Sequence, residues 1–387
     1  MQNRSWPLFY QVRLVLVVTL LLVSFSTFAW AQGQGTSAVA MFAVAAKEQT
    51  NIAGVSIIAD RPNGFNPLTA SSEELGKYGL PQRPNQQADP GGFARWTKGM
   101  QALRYRAAAH VKAMPHHSRN LMLAGQQPAA SGTTGKPTQL LSYNWSGVAN
   151  TNQLTSWDTK KSFDKVESIW NVPAAQPPFH ACANGITGAQ GVDGFYEASW
   201  TGIDGFNNAD VLQGGSLSAA DCEGDTLYIG WVEWYPSYPI LEIDCAVGVA
   251  CVVNPGDEFL VIVYGANAPT QYVFVEDINQ GWYGTFALAY VTGPALVGSS
   301  AQQIVERPCC DADSYPLALA NYLTDFFAAA VARDGHGELF LPGQANAVID
   351  MVDDGVTQEI SIVKQEGPFS LFFASVNCAF SGGCVSF

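Results

Sequence analysis

Between Ser199 and Pro236 the chain gathers carboxylates, an amide and indole rings at strand spacing. It reads S-W-T-G-I-D-G-F-N-N-A-D-V-L-Q-G-G and, after a short acidic loop, T-L-Y-I-G-W-V-E-W-Y-P. Taken as three successive strands, its side chains alternate between faces with period two. Trp200, Gly202 and Asp204 then share a face. Trp231, Glu233 and Tyr235 share one on their own strand, with Tyr228, Val232 and Trp234 opposite. A core face is wholly apolar, and a solvent face rarely carries two large rings. Aromatics mixed with a carboxylate suit a groove that grips an extended ligand. The plainer reading is an edge strand with exposed aromatics.

Most familiar catalytic patterns are missing. There is no H-E-x-x-H and no histidine cluster in the strand-rich part, so neither a catalytic zinc nor another cofactor is expected. G-x-S-x-G and the P-loop are absent. Asp-Gly pairs begin at Asp193, Asp204, Asp334 and Asp354, but none is the D-T/S-G of a pepsin-like pair. His110, His116 and His117 fall in a basic N-terminal segment, while His180 and His336 stand alone. A Cys nucleophile would lack its base. Carboxylates and amides remain to do chemistry.

The elements that must position them are short strands. The 387 residues suffice for one large domain and an appendage, with 48% hydrophobic and 13% charged residues; this profile suits an exported β-rich protein. Candidate strands lie near 143–150, 162–172, 195–204, 226–235, 258–264, 270–277, 281–290, 300–306, 323–333, 346–352, 357–363 and 369–376, and a short helix is expected near 316–322. Strand follows strand without long helices, so the fold class is all-β, an antiparallel two-sheet sandwich of concanavalin or jelly-roll type.

Three segments are expected. Residues 1–31 read as an export signal: Arg4 and Arg13 precede an apolar run that ends in the A-x-A of Ala29-Trp30-Ala31. Secretion, extracellular or periplasmic, follows, with no membrane attachment after cleavage; a retained anchor is the alternative. Residues 32–140 carry 11 Lys+Arg and 5 Asp+Glu, a net of +6, whereas residues 141–387 carry 6 and 28, a net of −22. In the basic segment Ser71-x-x-Glu74 reads as a capping box opening a short helix that ends near Gly79. Residues 92–113 read as a basic helix stopped by Pro115, and 126–137 as a linker. The segment is either a flexible basic arm or a propeptide that docks on the acidic domain and is loosened by acid. A domain at −22 excludes nucleic acid as a partner. All eight cysteines, Cys182, Cys222, Cys245, Cys251, Cys309, Cys310, Cys378 and Cys384, follow residue 141, which suggests disulfides. Cys245 with Cys251 and Cys378 with Cys384 would close short loops.

Five blocks now carry a family resemblance. Asn144-Trp145-Ser146-Gly147, Trp200-Thr201-Gly202-Ile203-Asp204-Gly205, Val211-Leu212-Gln213-Gly214-Gly215, Trp231-Val232-Glu233-Trp234-Tyr235-Pro236 and Ala301-Gln302-Gln303-Ile304-Val305-Glu306 stand in that order. They resemble N-W-S/G-G, W-V-G-I-D-G, I-L-Q-T-G, W-Y-E-W-Y-P and A-E-W-I-V-E of the glutamic peptidases, or eqolisins. The resemblance implies a β-sandwich with its active site on a concave face, a catalytic pair at Gln213 and Glu306, and groove residues at Trp145, Trp200, Asp204, Glu233 and Tyr235. Trp231 joins the groove set by its face. Gln302-Gln303 depart from the family's E-W, and an insert at 174–197 could alter one end of the groove. Asn144 also forms a sequon, explained by its place in the motif.

The chemistry implied is peptide hydrolysis in acid. Glu306 would take a proton from water and pass it to the leaving amine; Gln213 would orient the water and stabilise the oxyanion. Asp204 and Glu233 would hydrogen-bond around them. The expected protein is a secreted acid endopeptidase, monomeric, made as a precursor inhibited by its own propeptide, acting on polypeptides and resisting pepstatin, chelators and serine reagents. Taken singly, Gln213 reads as a turn residue and Glu306 as the surface partner of Arg307. Two other functions use the same groove: a β-sandwich glycoside hydrolase built on Glu233 and Glu306, and a lectin-like module with indole platforms.

Overall fold

The computed structural model describes residue 42 and residues 45–117, 120–121, 137–185, 194–245, 251–265, 267–291, 296–309, 316–353, 359–378 and 384–385. The expected export signal and nearly all of the 126–137 linker lie outside the described residues. So does Cys310.

The N-terminal arm is folded rather than flexible. Strands β1 (Lys47–Gln49) and β2 (Val55–Ile58) form a hairpin. Helix α1 (Ser72–Lys77) starts at the expected capping box: the Ser71 hydroxyl accepts from the Glu74 amide, and the Glu74 carboxylate accepts from the Ser71 amide. Helix α2 (Pro90–Ala102) is capped by Asp89, with Pro at its first position. It stops well short of residue 113. The chain from 105 onward finds better partners as strands β3 (Tyr105–Arg106) and β4 (Val111–Ala113), each added to the edge of a sheet.

The strands that follow build the sandwich. They are β5 (Thr138–Ser142), β6 (Trp145–Thr151), β7 (Phe163–Asn171), β8 (Phe195–Asp204), β9 (Val211–Ala220), β10 (Thr226–Tyr235) and β11 (Leu241–Ile243), then β12 (Glu258–Tyr264), β13 (Thr270–Asp277), β14 (Trp282–Ala289), β15 (Ser300–Glu306), β16 (Thr324–Asp334), β17 (Leu339–Phe340), β18 (Ala347–Val352), β19 (Glu359–Gln365) and β20 (Leu371–Ser375). The first sheet runs β5-β18-β6-β15-β8-β9-β10-β11-β4. The second runs β19-β20-β16-β7-β12-β13-β14, with β2 and β3 on the outer edge of β14. Pairing is antiparallel except for β5 on β18 and β3 on β14. The β18–β19 pair turns the corner between the sheets.

Val166, Trp170, Ile203, Val232, Val261, Val273 and Phe286 fill the space between the sheets. The outer face of the second sheet is also apolar, and the arm covers it. That is why β12, E-F-L-V-I-V-Y, is a continuous apolar run rather than an alternating one. β9 is longer than its composition suggests. Gly, Ser and Ala are poor strand formers in isolation, but tertiary context overrides that preference. At Gly215 a side-chain Cβ would lie 2.3 Å from the Ser199 carbonyl oxygen and 2.7 Å from the Trp200 Cβ. Only small residues fit beneath the indoles.

Residues 316–322 are not a helix. They run extended and make isolated bridges, Leu319 with Tyr196 and Asn321 with Gln176. Cys182 pairs with Cys222 and Cys245 with Cys251, and Cys309 is also oxidised. Cys378 stands opposite Cys384 in register.

Candidate active site

Glu306 ends β15, and its carboxylate points to the outer face of the first sheet. Its Oε1 accepts from Asn144 Nδ2 at 2.7 Å and its Oε2 from Trp200 Nε1 at 2.7 Å, with all three side chains buried. Two N–H donors, one per oxygen, fix the plane of the carboxylate. Arg307 turns away, its Nε donating to the Tyr143 carbonyl at 2.6 Å. The surface pairing of Glu306 with Arg307 is therefore not what the fold uses.

Gln213 sits mid-strand on β9, not in a turn, and its Nε2 donates to Glu233 Oε2 at 2.7 Å. Register places it on the face of Glu306. Glu306 pairs with Ala198, two residues from Trp200, which lies opposite Gly215, two residues from Gln213. The two residues are thus four positions apart along the strands, about 13–14 Å, and about 10 Å apart across them.

Trp145, Trp200, Trp231 and Tyr235 lie on the same face. Trp145 meets Trp200 edge-on, with centroids 4.9 Å apart. Trp231 is fully buried, and the indole N–H groups of Trp145 and Trp231 meet no acceptor among the described residues. Tyr235 is half-buried at the rim. Val232 and Trp234 face the interior, as period two requires. Gln302 lies in the cross-strand row of Gly202, Gln213 and Glu233, where the family motif carries an acid. Its Nε2 donates to Ser300 Oγ.

Asp204 is placed differently from a groove residue. Its carboxylate accepts from the backbone amides of Val297, Gly298 and Ser299 and from Ser299 Oγ, at 2.5–2.9 Å. Those bonds pin the 297–299 loop to the end of β8. Burial pushes this carboxyl up, opposed by the same amides.

The arm crosses this face. β4 pairs with β11, Met114 N donates to the Ile240 carbonyl, and Ile240 N to that of His116. His117 and Cys309 exchange backbone hydrogen bonds. The His117 ring lies edge-on to Tyr235, with Nδ1 3.5 Å from Glu233 Oε1. Beyond, Leu121 N donates to Asn144 Oδ1 at 2.8 Å, and Tyr143 N to the Leu121 carbonyl. Asn120, Leu121, Tyr235 and the 205–211 turn bound a cavity of about 300 Å³.

The sequence reading passed over two of these residues as site residues. Asn144 is buried and orients Glu306, so it is no exposed glycan acceptor; its place in the first motif was the available signal. Nothing local to His117 pointed to Glu233, 116 positions away. Among the described residues no group of three His, Cys, Asp or Glu is placed to hold a metal ion. Likewise no helix there is long and apolar enough to cross a membrane.

Comparison with known proteins settles the family. The Peptidase A4 family model matches residues 143–367. The chain belongs to the Peptidase A4 family, the glutamic peptidases or eqolisins. This peptidase is 24% identical to aspergillopepsin-2 of Aspergillus niger over 64% of its length and 83% of the relative's. It is 26% identical to scytalidopepsin B of Scytalidium lignicola over 68% of its length and 85% of the relative's. Among solved structures, scytalido-glutamic peptidase with a transition state analog inhibitor aligns with TM-score 0.46 and 20% identity, covering 60% of this chain and 98% of that one. Family membership makes the chain a glutamic endopeptidase and sets aside the glycosidase and lectin readings.

Proposed function

We propose that this peptidase is a secreted, acid-active enzyme whose dyad is Glu306 and Gln213, made as a precursor in which the arm occupies the cleft. The observation that carries the reading is a buried carboxylate, aimed by Trp200 and Asn144, on the same sheet face as a buried amide. In the reaction Glu306 takes a proton from water as the water oxygen bonds to the peptide carbonyl carbon. The amide of Gln213, its plane fixed by Glu233, orients that water through its oxygen and donates to the developing oxyanion. Glu306 then returns the proton to the amide nitrogen as the C–N bond breaks. The test is a casein digest at about pH 4, within reach of a carboxylate base. Gln213→Ala should lower kcat by about a hundredfold or more, the cost of one oxyanion donor, with little change on thermal unfolding. Wild-type turnover in that variant would remove Gln213 from the chemistry.

The arm supplies the acid trigger. His116 is buried against Tyr196, and burial, then the neighbouring His117, lower its basicity. A lowered folded-state value means that docking of this strand is favoured above the ordinary imidazole range and lost as pH falls. His116→Phe should therefore hold the precursor shut: acid activation, followed as the lag before casein cleavage, should lengthen. An unchanged lag would exclude His116 as the trigger.

A further inference from the structure

The arm lies on two surfaces. Residues 108–117 and 120–121 cross the cleft. Residues 45–107 are built into the fold elsewhere. Val55, Ile57 and Ala107 enter the core between the sheets. Leu75, Leu80, Trp96, Met100 and Leu103, all nearly or fully buried, cover Leu260, Ile262, Tyr264, Tyr272, Phe274 and Tyr283 on the outside of the second sheet. β2 completes the edge of β14 from Val55 to Ile57, and Ala107 N donates to the Tyr283 carbonyl at 2.7 Å. Stripping this piece would expose a contiguous apolar face larger than soluble monomers carry and an unpaired sheet edge.

We propose that residues 45–107 are a permanent second part of the enzyme, which stays bound to the outer face and edge of the second sheet after the chain is cut in the 126–137 linker. The proposal rests on the reading that the precursor is processed there. No disulfide can tether the piece, because every cysteine follows residue 141. Its hold is chiefly apolar and main-chain, which acid does not remove; the rim ion pairs Lys98–Glu258 and Asp89–Arg333 are the part that acid weakens. One contact favours acid. α2 closes over Glu276 so tightly that a Cβ on Gly99 would lie 2.8 Å from its Oε2. Burial, then Asp277 and Glu258, push this carboxyl up to about 8 against the pull of Arg61. Lys98 of α2 pairs with Glu258 at the rim. Covering Glu276 thus takes up a proton, and the grip tightens as pH falls through the range from about 8 to the ordinary carboxylate value. Acid that frees the cleft strand therefore leaves the rest of the arm seated.

The test is to activate the full-length precursor in acid and compare gel filtration at the same pH with a denaturing gel and intact masses. The expected result is one native species containing both chains in equal amounts, separating only on denaturation. A second preparation places a site for an unrelated protease in the 126–137 linker, so that the cut does not depend on self-processing. If acid alone makes no cut there, the processing reading fails while this preparation still tests retention. Trp96→Ala should release the N-terminal piece about a hundredfold faster, the scale of a lost buried indole. An N-terminal piece that elutes alone, leaving a monodisperse and fully active remainder, would overturn the proposal. So would wild-type retention in Trp96→Ala.

Discussion

Glu306→Gln should lower kcat by about a thousandfold or more, because it removes the only proposed group that accepts and returns the proton. The substitution is nearly isosteric, but it is not silent structurally. Both carboxylate oxygens accept an N–H, from Asn144 and from Trp200. A carboxamide can accept only one of these and turns its own N–H₂ toward the other donor. That costs about 1–3 kcal/mol of stability, so folding must be checked by circular dichroism at the assay pH. Trp200→Phe separates the two effects: it keeps the carboxylate and removes one donor, and should cost about ten- to a hundredfold. The order Glu306→Gln far below Trp200→Phe is the signature of a proton carrier. Equal losses in both would point to disordered packing and would falsify the role given to Glu306.

The second large effect is on stability. Unfolding should become easier as pH rises from about 4 to about 8, the reverse of ordinary acid denaturation. The cause is carboxyls buried in neutral form. Between the sheets, the hydroxyl of Ser199 touches Glu197 and lies 2.6 Å from Asp325 Oδ2, with all three side chains buried. A serine has one proton to give, so one of the two acids must keep its own and donate it to the serine oxygen. Burial pushes Asp325 up to about 7 and, with Asp325 beside it, Glu197 well above the usual range. Asp210, under Trp234, is pushed to about 8 by burial, as is Glu276. A folded-state value raised above the unfolded one gives stability that is complete below the unfolded carboxylate value and lost as pH climbs through the folded one. Ionising one such group in place costs on the order of 4 kcal/mol, a large share of the 5–15 kcal/mol typical of a domain. Scanning calorimetry from about pH 3 to pH 8.5 should show Tm falling throughout the upper half of that range. Glu197→Gln with Asp325→Asn should flatten that fall. A Tm that holds steady or climbs toward pH 8 would refute the account.

Much of the site was legible before the fold was known. Period two alone separated Trp200, Trp231, Glu233 and Tyr235 from Val232 and Trp234, because strand geometry leaves no other assignment. The capping box at Ser71 and Glu74 is equally local, since its two hydrogen bonds join residues three apart. The motif order singled out Gln213 and Glu306, but spacing along the chain says nothing about which face of a neighbouring strand a residue shares. Only the register of β15, β8 and β9 puts them on one face of the sheet.

The sequence by itself determined the all-β class, the strand faces, the position of each motif and the charge division between arm and domain, because those follow from residue type and short-range periodicity. Tertiary structure decided the rest. It ended α2 at Ala102 because sheet edges offered residues 105–113 better partners. It spent Asp204 on a loop, set Asn144 against Glu306, and laid His117 over Glu233. Each of these outcomes depends on which backbone groups and side chains, distant in the chain, compete for one another once the two sheets close.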